Sequence, residues 1–184
     1  MPTRTSALIR VVPLTCLALL FGVIVTAQVK EPASSHLVAP AALAKLLPTM
    51  PNWTRTEPRL SEIDSDGCTY TLASATYTTD AVRLKLTLAD TGGHAETLAI
   101  LASPIVNLPD NYDGKVPPAT TIKRSKTDDT RASEMWDAER LSGEMIVVVS
   151  GRFVVAVESQ KADSLESLRS LLAAVDLKAL ASQK

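Results

Sequence analysis

Residues 81–89 alternate without a fault, with Val82, Leu84, Leu86 and Leu88 on one side and Arg83, Lys85 and Thr87 on the other. A period of two predicts a strand with one covered and one wet face. Two apolar runs, Met145 to Val149 and Phe153 to Val157, flank Ser150-Gly151-Arg152 and predict strands near 144–150 and 152–159 joined by a tight turn. Further strands are predicted around Trp53, over the Thr- and Tyr-rich stretch from Cys68 to Thr78, and near 119–126 and 131–139, with Leu141-Ser142-Gly143 turning one pair.

Helical spacing appears in three places. Leu43, Leu46 and Leu47 share a face before Pro48, and Leu98, Leu101, Ala102 and Ile105 follow the Asp90-Thr91-Gly92-Gly93 turn, with Pro104 interrupting. The best-marked helix carries Leu165, Leu168, Leu172 and Val175, with Asp163 as its expected cap and Glu166 at the capping-box position; a shorter turn spans Leu177 to Leu180. Strands joined by tight turns, with helices at the ends, predict an α+β fold: an antiparallel curved sheet of about six to seven strands with two to three helices packed on one face.

The N-terminus has a different pattern. Arg4 and Arg10 precede 17 uncharged, mainly apolar residues from Val11 to Ala27, and a polar stretch opens at Gln28. Val25 and Ala27 occupy the small-residue positions of a signal-peptidase site, so residues 1–27 read as an export signal cut before Gln28. Seventeen residues also lie at the short limit for crossing a bilayer, and a retained segment would anchor the chain with its body outside the cytoplasm. Either way the expected location is exported: periplasmic or extracellular, or anchored at the inner membrane. Residues 28–40, with two prolines and no apolar period, read as a linker; residues 41–184 read as a single domain.

Loss of Arg4 and Arg10 leaves 17 basic against 20 acidic residues, a formal charge of −3. That balance offers no broad attraction to nucleic acid or anionic lipid, so membrane contact is expected only through residues 11–27. The basic cluster Lys123-Arg124-Ser125-Lys126 reads as a solvated strand end. Removal of Cys16 with the signal would leave Cys68 as the lone cysteine, so stability is expected from a core rather than a disulfide.

The order of pieces is a leucine-bearing helix, a Pro-Asn-Trp strand, a Thr/Tyr strand, LKLTLADTGG, a long loop, GRFVVAVES and a final helix running into VDLKAL. Over roughly residues 41–182 this resembles exported bacterial proteins of uncharacterised function and, more distantly, the α+β domains of the Mog1p/PsbP-like class. The resemblance implies an adaptor or accessory role and carries over no site residue.

Asp90-Thr91-Gly92 resembles the triplet that aspartic proteases present after an apolar strand, where two aspartates share one water. A hydrolase site near Asp90 and His94, or a Cys68–His94 dyad, is the enzyme alternative; a glycine-rich flap, GxSxG, Walker loop and dinucleotide fingerprint are missing. Glu62, Asp64 and Asp66 before Gly67 suggest a calcium loop, but position 75 is Ala where a bidentate Glu is needed, so they read as a solvated turn entering the Cys68 strand. No catalytic residue, metal or cofactor is expected. Tyr112, beside Asp110 and Asp113 in the loop from Asn107 to Pro118, is the first candidate for partner contact; Trp136, flanked by Glu134 and Asp137 on a polar strand, is the second. The expected role is a noncatalytic domain that binds another protein or a cell-envelope component, with a membrane-tethered scaffold retaining residues 11–27 as the alternative.

Overall fold

A computed structural model describes residues 36–65, 68–102, 119–127 and 129–183, all within one compact unit. The residues read as an export signal, Asp66, and the stretch with Asp110, Tyr112 and Asp113 read as a contact loop lie outside the described residues. Among the described residues no helix is long and apolar enough to cross a membrane.

Alternation decides the sheet. The strand expected at 81–89 forms as β4 (Arg83–Asp90), with Leu84, Leu86 and Leu88 fully buried and Arg83 and Lys85 exposed. Before it come α1 (Pro40–Ala44), β1 (Thr54–Arg55), β2 (Arg59–Ser65) and β3 (Cys68–Thr78); after it come α2 (Ala95–Leu101), β5 (Thr120–Lys126), β6 (Thr130–Asp137), β7 (Ser142–Val149), β8 (Phe153–Lys161), α3 (Leu165–Ala173) and α4 (Leu177–Ala181). Every paired strand is antiparallel, and the order is β1-β3-β4-β8-β7-β6-β5 with β2 also beside β3. The fold is therefore α+β, an open antiparallel sheet of eight strands with four short helices among the described residues.

β1 and β2 lie end to end along one edge of β3. Arg55 faces Tyr77 while Arg59 faces Ser74, so one extra residue is absorbed between them, where the Thr56 N–H donates to the Thr76 carbonyl. Residues 59–65 thus form a strand, where a solvated turn was expected, because the 11-residue β3 offers backbone partners along that edge. Glu62 and Asp64 alternate outward from it, and Asp64 accepts a hydrogen bond from the Thr69 hydroxyl at 3.1 Å. Among the described residues no group of three or more His, Cys, Asp or Glu is placed to hold a metal ion.

The two faces are covered unequally. One carries Ala73, Tyr77, Leu86, Val147, Val155 and their neighbours, packed with Leu43 of α1, Leu168 and Leu171 of α3, and Leu180 of α4. Each such Leu contributes roughly 1.5–3 kcal/mol on burial, so this face supplies most of the driving force. The opposite face is where the expected one-sided arrangement departs: Leu98, Leu101 and Ala102, in and just after α2, pack there against Ala89, Ile146, Val148 and Val154.

Two local expectations shift. Asp163 does not cap α3; Ser164 holds the N-cap position, and Asp163 accepts hydrogen bonds from the Ser164 and Ser167 hydroxyls instead. Ser142 and Gly143, read as a turn, open β7, because Asp137 builds the turn earlier by accepting the Glu139 and Arg140 N–H groups at 3.0 Å each. Gly143 faces Trp136 across β6 and β7, and a Cβ there would stand 2.7 Å from both the Met135 carbonyl oxygen and Trp136 Cε3. Because one of those atoms is backbone, Gly143→Ala is expected to cost about 1–3 kcal/mol, seen as a lower urea midpoint and a shifted Trp emission.

Candidate functional site

The Asp-Thr-Gly triplet ends β4, and its chemistry follows from where the strand leaves it. Asp90 falls on the same face as Leu88 and is 0% exposed. A carboxylate so placed needs donors on both oxygens. Oδ1 accepts from Gly92 N (2.9 Å) and Arg152 Nε (2.7 Å), and Oδ2 accepts from Val38 N and Arg152 Nη2, both at 2.7 Å. The guanidinium therefore grips the carboxylate side-on with two parallel bonds.

Surrounding contacts hold this node from three segments. Arg152 Nη2 also donates to the His36 carbonyl, and the guanidinium carbon stands 4.9 Å over the Phe153 ring. The Thr71 hydroxyl donates to the Val38 carbonyl, so residues 36–38 are fastened by Asp90, Arg152 and Thr71 together. Val38 itself is in the core, which places the end of the stretch read as a linker within the fold. Thr91 N and Oγ1 both donate to the Arg152 carbonyl, and Gly92 and Gly93 take φ of 62° and 81°, a turn that Gly adopts without steric cost. Burial pushes the Asp90 carboxyl up, but the Arg152 bonds, then the Val38 and Gly92 N–H groups, outweigh it and hold it below 3.8.

Expected site residues are placed apart from this node. His94 is the exposed N-cap residue of α2, and Cys68 is a half-buried free thiol at the start of β3. Neither donates to Asp90. Trp136 is half-buried and lies against the core, with its ring across Gly143. Its neighbour Glu134 pairs with Arg169 of α3 at 2.7 Å.

The feature that sequence reasoning missed is a cleft of about 510 Å³ between α2 and the β5–β6 hairpin. Leu98, Ala102 and Val148 form its apolar side, and Lys126, Asp129 and Arg131 its polar side. Lys126 had been visible only as part of a basic strand end. Its pairing with Arg131 across the hairpin depends on register, which the sequence did not reveal.

A third arrangement on the α2 side of the sheet joins Lys85, Glu158 and Glu144 in register across β4, β8 and β7. Lys85 reaches Glu158 at 3.6 Å, while burial and then the Glu158 charge push the Glu144 carboxyl above its usual value. No protein-family model, no curated protein and no solved structure matches this chain.

Asp90→Ala strands Arg152 and the Val38 N–H and is expected to cost about 3–5 kcal/mol in urea denaturation. Because the folded carboxyl titrates below the unfolded value of 3.8, its contribution is present above pH 3.8 and is lost as pH falls through the lower folded value. Glu144 behaves oppositely. Its folded form binds the proton more tightly, so stability falls as pH rises from 4.5 through the raised folded value. Glu144→Gln is therefore expected to stabilise the fold by a few tenths to about 1 kcal/mol at neutral pH, with the gain vanishing below pH 4.5 in a denaturation series.

Proposed function

We propose that this chain is an exported domain that works by binding, to another protein or a cell-envelope component, rather than by catalytic turnover. The observation that carries the reading is the employment of Asp90. Its triplet is the one with a catalytic precedent, yet both carboxylate oxygens are occupied by Val38, Gly92 and Arg152. An aspartic protease needs its carboxylate free to share a water with a second one. A carboxylate spent on holding three segments together supports a scaffold reading of the triplet.

The basic start and apolar run of residues 1–27 support export, and the order of elements is consistent with kinship to the adaptor-like Mog1p/PsbP-like domains. The loop bearing Asp110, Tyr112 and Asp113 is the proposed contact surface, since a loop aromatic among polar groups is a common anchor for partners. Expression with a photo-crosslinking residue at position 112, followed by fractionation and N-terminal sequencing, tests the proposal. A discrete adduct in the envelope fraction, lost on Asp110→Ala with Asp113→Ala, is expected, on a chain beginning at Gln28. An intact Met1 in the membrane would indicate the tethered form. A cytosolic chain without adducts, or a peptidase activity abolished by Asp90→Asn, would overturn it.

A further inference from the structure

The α2-bearing face of the sheet changes character along one row. In register across β3, β4, β8, β7, β6 and β5 it reads Leu72, Ala89, Val154, Val148, Arg131 and Lys126. Apolar residues fill the part beneath α2, and two cations end the row. The cleft of about 510 Å³ lies at that change, with Leu98, Ala102 and Val148 against Lys126 and Arg131.

Three properties of this cleft call for an anion with an apolar part. Lys126 and Arg131 stand directly opposite each other, and like charges so placed repel. Among the described residues neither makes an ion pair, and Asp129 is the single carboxylate lining the cleft with them. Edge protection by charge is met by Lys123, which faces the other side of β5, so the pair at 126 and 131 is additional to it. The volume lies within the range of about 300–1,000 Å³ typical of small-molecule sites.

The site is also held in place. The hydroxyls of Thr127 and Thr130 bond to each other, the Thr127 N–H donates to the Thr130 carbonyl, and the Ser150 N–H donates to the Asp129 carbonyl at 2.7 Å. The hairpin is thereby tied to the turn that carries Arg152, next to the Asp90 node. The hairpin backbone is thus ordered before a ligand arrives, and the ordering left for binding is that of the Lys126 and Arg131 side chains.

We propose that this cleft binds a small amphipathic anion, with its carboxylate or phosphate group between Lys126 and Arg131 and a short apolar chain over Val148, Leu98 and Ala102. The proposal rests on the binding reading of the domain and names the chemistry of one ligand. Amide NMR titration of the purified protein with octanoate, octyl phosphate, octanol and inorganic phosphate tests it. Octanoate or octyl phosphate should produce saturable shifts at Leu98, Val148, Lys126 and Arg131, and the stronger of the two identifies the head group. Lys126→Gln with Arg131→Gln should weaken that binding by about tenfold or more, while Lys126→Arg with Arg131→Lys should keep it, both variants retaining the folded amide spectrum. Absent saturation at millimolar ligand, octanol binding as well as octanoate, or phosphate binding as well as octyl phosphate would each overturn the proposal. So would indifference to the double Gln variant. A silent cleft alongside an intact adduct at position 112 would remove this ligand and leave the proposed function standing.

Discussion

A carboxylate without solvent contact must be neutralised where it stands, and Asp90 is the point on which this structure turns. Its partners lie far apart in the chain: Val38 before the first helix, Gly92 in the turn leaving β4, and Arg152 at the entry to β8. The strands β1 to β4 and β5 to β8 form two successive runs that meet only where β4 pairs with β8, and Asp90 sits opposite Phe153 at the end of that seam. A one-residue slip there would turn Asp90 to the other face and strand Arg152. Buried ion pairs add little net stability over apolar substitutes. What this pair supplies is a single register for the junction and a fixed path for residues 36–38.

That same placement engages both oxygens of Asp90 in hydrogen bonds, and the open cleft lies elsewhere. The Ser150-Gly151-Arg152 turn faces two ways: its arginine reaches the node, while Ser150 and Gly151 border the hairpin and the cleft beside α2. A rigid junction thus lies beside a cleft where Lys126 and Arg131 face each other, with Asp129 the one carboxylate among the described residues that line it. α1, α3 and α4 are seated on the larger core, and the cleft of about 510 Å³ lies on the α2 side.

Much of the architecture was legible beforehand because strand alternation and turn residues act locally. β3, β4, β7, β8 and the final helix stand near their expected limits, and Leu43, Leu84, Leu86, Leu88 and Leu168 are buried as their spacing implied. β2 was not legible, since RLSEIDS has weak alternation and becomes a strand only because β3 runs beside it. The side of the sheet taken by α2 was likewise hidden. Both faces of the central strands are apolar, as Ala89, Ile146 and Val154 show, so periodicity alone did not say that a helix would cover the second one.

The sequence by itself determined the period of each element, the turn chemistry of Asp90-Thr91-Gly92-Gly93 and the apolar stripes that make the core, because these depend on neighbours within a few residues. Tertiary structure decided what those residues do. The triplet became a structural node because Arg152, 62 residues away, folds back onto it, and a basic strand end became one wall of a cleft because Arg131 lands opposite Lys126 to one side of α2. Charge acts through space, and its meaning here was set by contacts that no local window of sequence contains.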